Sequence, residues 1–241
     1  MYYAFKKENV TILFDTGTEN KKRLINITTM AQSFSQEHAT ALLALHAFSG
    51  CDTTSSFKGL GKVKPLKVLL KLAKFEPVLA RLGDVWDVPD DLMNELDAFT
   101  CALYGRPRIR TVDELRYIKM NEVCVTDIQL SSSKNIDMSM MPPCRRSLEQ
   151  HIKRVNYQVG IWKRSHIPNP DIPLASDGHG WTLVNSKLEP LWYNGEVLPI
   201  QLADISEGSA ATVADDSGDS EDDISLPDDY LDTYGDSDSD D

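Results

Sequence analysis

The residue types best suited to chemistry cluster between His46 and Lys74, in the run HAFSGCDTTSSFKGLGKVKPLKVLLKLAK. Asp52 offers a carboxylate of the kind that ligates Mg2+ or Mn2+. Gly59 and Gly61 flank Leu60, and a backbone without side chains at these two positions lets a phosphate come close. The helix expected after them presents free amide groups to an anion at its start. Lys58, Lys62, Lys64, Lys67, Lys71 and Lys74 place six positive charges in 17 residues, with no acid between Asp52 and Glu76. Such a surface would hold a phosphodiester backbone without reading bases. A lysine-faced amphipathic helix is also commonly an ordinary solvated surface helix, and the glycine turn weighs against that reading without deciding it.

Other candidates carry weaker chemistry. Cys51 adjoins Asp52, yet no histidine in local reach marks it as an activated nucleophile, and a buried structural thiol is the plainer reading. His46, on the helix entering the motif, and His179, in Asp177-Gly178-His179-Gly180, lack partners at ligand spacing and read as structural. Asp15, in the context DTGT, reads as a turn former. Trp162, Trp181 and Trp192 read as packing residues of the second half. Two-metal phosphodiester hydrolysis needs several carboxylates around two cations about 4 Å apart, so Asp52 alone makes an incomplete centre. The expectation is binding without cutting.

The elements that must position these residues follow from periodicity and caps. Residues 10 to 14 (VTILF) and 23 to 27 (RLINI) read as short strands joined through turn residues, hence a hairpin or sheet edge. Ser35 caps a helix over 36 to 48 that ends at Gly50. A second helix is expected over about 63 to 75, with Pro65 tolerated only near its start. Further helices are expected at about 90 to 103, from a Thr111 cap through Tyr117, and over 145 to 164, where Leu148, Ile152, Val155, Val159 and Trp162 form one stripe. Residues 126 to 143 are Ser- and Met-rich and read as a linker or loop, and 167 to 199 as short strands and loops.

The stretch LLALHAFSGCDTTSSFKGLGKVKPLKVLL resembles the signature of the flap-endonuclease-like (PIN-like) nucleases, over about residues 10 to 75. In that family a helix leads into Gly-Ser/Cys-Asp, then a Gly-Ile/Leu-Gly turn, then a helix, together a helix-two-turn-helix clamp on duplex DNA. The resemblance implies an α-rich α/β fold, with Asp52 at the metal-binding aspartate and Gly59, Leu60 and Gly61 at the turn that grips the backbone with a monovalent cation. It also implies Lys62, Lys64 and Lys67 on the DNA face, although Lys62 stands where the family commonly has proline. A second likeness covers more of the chain. HAFSGCDTTSSF, PPCRRSLEQHIKRVNYQVGIWKR and HGW resemble a lineage-expanded group of uncharacterised animal proteins, which usually carry an Asp-Thr-Asp motif upstream and often a cysteine-rich end. Neither feature occurs in this sequence, so the chain reads as the carboxyl-terminal part of a nuclease-like domain.

Composition divides the chain unevenly. Of the 37 acidic residues among 241, residues 201 to 241 hold 15 with no lysine or arginine, which leaves residues 1 to 200 with 22 acids against 25 bases. The net charge of −12 therefore belongs to the tail, and the body is mildly basic. The expected organisation is a partial nuclease-like region over 1 to 125, a linker over 126 to 143, a helix with a Trp/Pro-rich packing segment over 144 to 202, and a disordered acidic tail over 203 to 241. Ser220 and Ser237, each followed by acids, read as sites for an acid-directed kinase, and the tail as a surface for a protein partner or a competitor for the lysine face. Four scattered cysteines without a CxxC pair favour reduced thiols and an intracellular protein, and a nuclear location is expected over a cytoplasmic one. No apolar run approaches the roughly 20 residues of a membrane span. The partner expected is double-stranded or branched DNA. The alternative is a non-enzymatic interaction or regulatory protein derived from a nuclease or mobile-element gene.

Overall fold

In the computed structural model, residues 11–18, 21–129 and 138–195 are described, all within the unit Met1–Ile200. The expected disordered tail, with Ser220 and Ser237, lies outside the described residues. Helices dominate, and the strands form two separate antiparallel hairpins, so the fold is mixed α/β and α-rich.

The first hairpin pairs β1 (Leu13–Thr16) with β2 (Arg23–Asn26), Phe14 opposite Ile25. Asp15 lies within β1, opposite Leu24, and not in the turn expected for it. A short helix, α1 (Ile27–Ser33), follows directly, so Ile27, expected to end the strand, instead begins a helix. Its start is fixed by Asn26, whose side chain accepts the Thr29 amide at 2.9 Å.

The central helix is α2 (Gln36–Phe48), capped by the Ser35 hydroxyl, which accepts the His38 amide at 2.9 Å. Ala39, Ala41, Ala44 and Ala47 are all buried, and their small side chains let neighbouring helices approach closely. α4 (Glu76–Ala80) and α7 (Arg145–Lys163) pack against it. Between α2 and α4 runs α3 (Val63–Lys71), which buries Pro65 and Leu69.

The helix expected to run to about residue 75 ends at Lys71. Leu72 leaves the helical region at φ −118°, ψ 67°, and the chain resumes as a 3-10 turn over Ala73–Phe75 and then α4. Pro77 explains the break. Inside one continuous helix its ring would displace the carbonyl of Ala73, whereas at the start of α4 the missing N–H costs nothing.

α5 (Asp90–Leu103) is buried along most of its length and packs on α3, α4, α6 (Val112–Gln129) and α7. α6 starts where Thr111 was expected to cap, its hydroxyl accepting the Glu114 amide at 3.3 Å, and continues well past Tyr117 into the expected linker. Good helix formers such as Glu114, Leu115, Arg116, Lys119 and Met120 account for the extension. Phe48, Phe75, Phe99, Leu96, Leu148 and Ile152 are fully buried at the meeting of α2, α5 and α7.

Two polar clusters fix α7. The buried carboxylate of Asp97 on α5 accepts from the Arg145 guanidinium and, at 2.8 Å, from the Val112 amide, joining three helices at one point. At the other end Asn156 accepts the Gly83 amide at 2.7 Å and donates to the carbonyls of Val85 and Trp86 at 2.9 and 2.8 Å. Gly83 (φ +77°) approaches α7 so closely that a Cβ there would lie 2.4 Å from the Gly160 nitrogen. The chain closes with a second hairpin, β3 (Trp181–Val184) against β4 (Lys187–Pro190). Among the described residues no helix is long and apolar enough to cross a membrane.

Candidate nucleic-acid interface

The loop that links α2 to α3 is ordered by contacts on both sides. Gly50 turns the chain at φ +105°, and a Cβ there would lie 2.7 Å from Cβ of Ser56, so only glycine lets the two limbs of the loop meet. Cys51 and Thr54 then exchange backbone hydrogen bonds of 3.1 and 3.2 Å, and the Thr54 hydroxyl donates to the Ala47 carbonyl at 2.7 Å. Asp52 and Thr53 form the exposed tip of this tight turn. Phe57 anchors the far side, its ring 5.5 Å from Phe48 and 5.1 Å from His151.

Leu60 seats the glycine turn in the core at 7 % exposure, with its amide donating to the Phe57 carbonyl at 3.0 Å. The two glycines around it differ. Gly59 adopts φ +75°, but its face is covered, since a Cβ there would lie 2.5 Å from Cε of Met140. Gly61 has nothing within 4 Å of the same construction and faces open space. The open backbone expected at both glycines is therefore present at Gly61 alone.

Lys62 also departs from its expected role on the DNA face. Its ammonium donates to the His46 carbonyl at 2.8 Å, to the Ser49 hydroxyl at 3.1 Å and to the Gly50 carbonyl, so it caps the carboxyl end of α2. Burial lowers its pKa, partly opposed by Cys51. Lys58 reaches the Ser139 hydroxyl across the turn.

Lys64, Lys67 and Lys71 recur at i, i+3 and i+7 and so share one face of α3. Lys64 and Lys71 are exposed and Lys67 half-buried, and none has an ion-pair or hydrogen-bond partner among the described residues. Pro65 brings no N–H and Leu66 bonds back to Lys62, so Val63 and Lys64 supply the free amides at the helix start.

The titratable groups under the turn are tuned by one another. Burial, and then Lys62, lower the pKa of His46, against an opposing pull from Asp52. Burial raises the Cys51 thiol, but hydrogen bonds from the side chains and amides of Thr53 and Thr54 outweigh it and set the pKa below its ordinary value. His46 packs 5.9 Å from the ring of Trp162, and His179 is buried and stacked 5.1 Å from Tyr157, both as structural aromatics.

Magnesium or manganese pairs take hard oxygen ligands from several carboxylates. Asp52 acts electrostatically on His46, and among the described residues no group of three or more His, Cys, Asp or Glu side chains is placed to hold a metal ion. This donor set does not fit such a pair. Comparison of the chain with protein-family models, with curated proteins and with solved structures finds no match in any of the three.

Proposed function

We propose that this chain grips the phosphodiester backbone of double-stranded or branched DNA with the Gly61 turn and the lysine face of α3, as a nuclease-related binding domain that does not cut by itself. The observation that carries the reading is the stripe of Lys64, Lys67 and Lys71, three cations without acidic partners among the described residues, beside an open glycine and two free helix-start amides. Lysines act as flexible point charges, which suits sequence-independent contact with phosphates. Leu60 in the core and Lys62 on α2 take positioning roles, since they fix the angle between α2, the turn and α3. The likeness of GCD, the GLG turn and the flanking helices to the flap-endonuclease-like clamp supports a duplex as the ligand and the nuclease-related origin of the domain.

The test is a titration of labelled duplex and flap DNA at low salt with the native chain and with Lys64→Glu/Lys67→Glu/Lys71→Glu. Losing three phosphate contacts should weaken binding by roughly tenfold or more. Unchanged affinity in a variant with native circular dichroism would place the contact elsewhere.

A further inference from the structure

Helix α7 buries a positive charge that no carboxylate answers among the described residues. Arg154 is 2 % exposed, and its Nη1 donates to the carbonyls of Gly180 and Leu191, each at 3.1 Å. Its guanidinium lies 5.1 Å from the ring of Trp192. Nε and Nη2 donate to no protein acceptor among the described residues but are not sealed from solvent, and no acid pairs with the residue there. A buried charge facing only neutral groups is costly, and arginine cannot relieve the cost by losing its proton. A counter-ion from outside can.

Arg154 borders a cavity of about 170 Å³ whose lining joins the polar Ser55, Ser56, Ser147 and Gln150 to a larger apolar part that includes Phe57 and Trp192, with no Asp or Glu in it. A single water needs only about 10–15 Å³, so the space admits a phosphate-sized group. The hydroxyls of Ser55 and Ser56 have no protein partner among the described residues, and the buried Oε1 of Gln150 has none either. Turning that amide by 180° would present an N–H at the same point. Ser55 and Ser56 on the loop and Ser147, Gln150 and Arg154 on α7 supply the polar part of the lining, with the Ser147 hydroxyl also 3.2 Å from the Cys144 thiol. That arrangement suits a tetrahedral anion with three free oxygens better than a planar carboxylate.

We infer that this pocket binds a phosphate monoester, with Arg154 as the anchoring cation and Ser55, Ser56 and Ser147 as hydroxyl donors. Trp192 is 64 % exposed and so offers ring surface to a planar group carried by the phosphate. The pocket shares no residue with the lysine face of α3, so it stands or falls independently of duplex binding.

Calorimetric titration of the full chain at fixed ionic strength in chloride, with inorganic phosphate, adenosine 5′-monophosphate and adenosine as probes, tests the inference. One-site, saturable uptake of both phosphate probes and none of adenosine is expected. A tighter monophosphate would identify a nucleotide-like source, and equal affinities a free phosphate. Arg154→Lys keeps the charge but loses the planar fork, and should bind about tenfold more weakly. Ser55→Ala/Ser147→Ala leaves the buried charge in place and should also weaken binding. Failure of the native chain to take up either phosphate probe saturably, or unchanged affinity in the folded serine variant, would overturn the inference.

Discussion

Lowering the pH from 7 to 4 should remove about 3 kcal/mol of stability through His151 alone. The imidazole is buried, with Nε2 donating to the Phe48 carbonyl at 2.9 Å and the rings of Phe48 and Phe57 5.4 and 5.1 Å away. Burial drives its pKa down to about 4, the Phe48 carbonyl opposes this, and Arg154 adds to it. In the unfolded chain the same group titrates near 6.5. Above pH 6.5 both states are neutral and the full stability is present. Between 6.5 and 4 the unfolded state takes up a proton that the folded state refuses, so stability falls with pH, and below 4 the loss levels off. A gap of about two and a half pH units at 1.36 kcal/mol per unit gives the figure of about 3 kcal/mol, or roughly 6–12 °C in Tm for a body of this size. His151→Gln retains a donor for the Phe48 carbonyl but cannot titrate. Urea unfolding across this pH range should therefore show a steeper decline for the native chain than for the variant, by about 3 kcal/mol in total. Parallel pH profiles for the two proteins would refute the reasoning, whatever the absolute stability of the variant.

Asn156→Ala removes three hydrogen bonds that hold the 83–86 loop on α7 and leaves buried backbone groups unpaired, so chemical denaturation should report a loss of about 2–4 kcal/mol. Lys62→Ala should cost about 1 kcal/mol in the same assay, through the carboxyl end of α2, and weaken duplex binding less than the triple lysine variant does, because Lys62 positions the turn without meeting phosphate. The purified chain should leave flap and hairpin DNA intact with magnesium or manganese, and metal-dependent cutting abolished by Asp52→Ala would reveal ligands beyond those described.

Much of the helical framework was legible because caps and periodicity are local signals. Ser35 and the apolar spacing place α2 over residues 36 to 48, Asp90 and Asp91 open α5, and the stripe from Leu148 to Trp162 marks α7. What was not legible depends on partners distant in sequence. α1 hides in a β-branched run and forms because Asn26 caps it. Lys62 looks like its lysine neighbours until the end of α2 comes within reach of its ammonium. Met140 covers Gly59 from a segment about eighty residues away, which no reading of the glycine turn could foresee. Arg154 lies on the polar flank of α7 and would pass for a solvated arginine. The chain at Gly180 and Leu191 buries it, and the only sequence hint was the Trp- and Gly-rich composition of that segment.

The central claim is that Lys64, Lys67 and Lys71 meet DNA phosphates. Its most direct test is the dependence of duplex affinity on salt concentration, measured for the native chain and for Lys64→Ala/Lys67→Ala/Lys71→Ala. Each phosphate contact contributes about −0.9 to the slope of log affinity against log salt, so the native slope should be steeper by about 2.7. Equal slopes in the two proteins, or no duplex binding by the native chain at low salt, would contradict it.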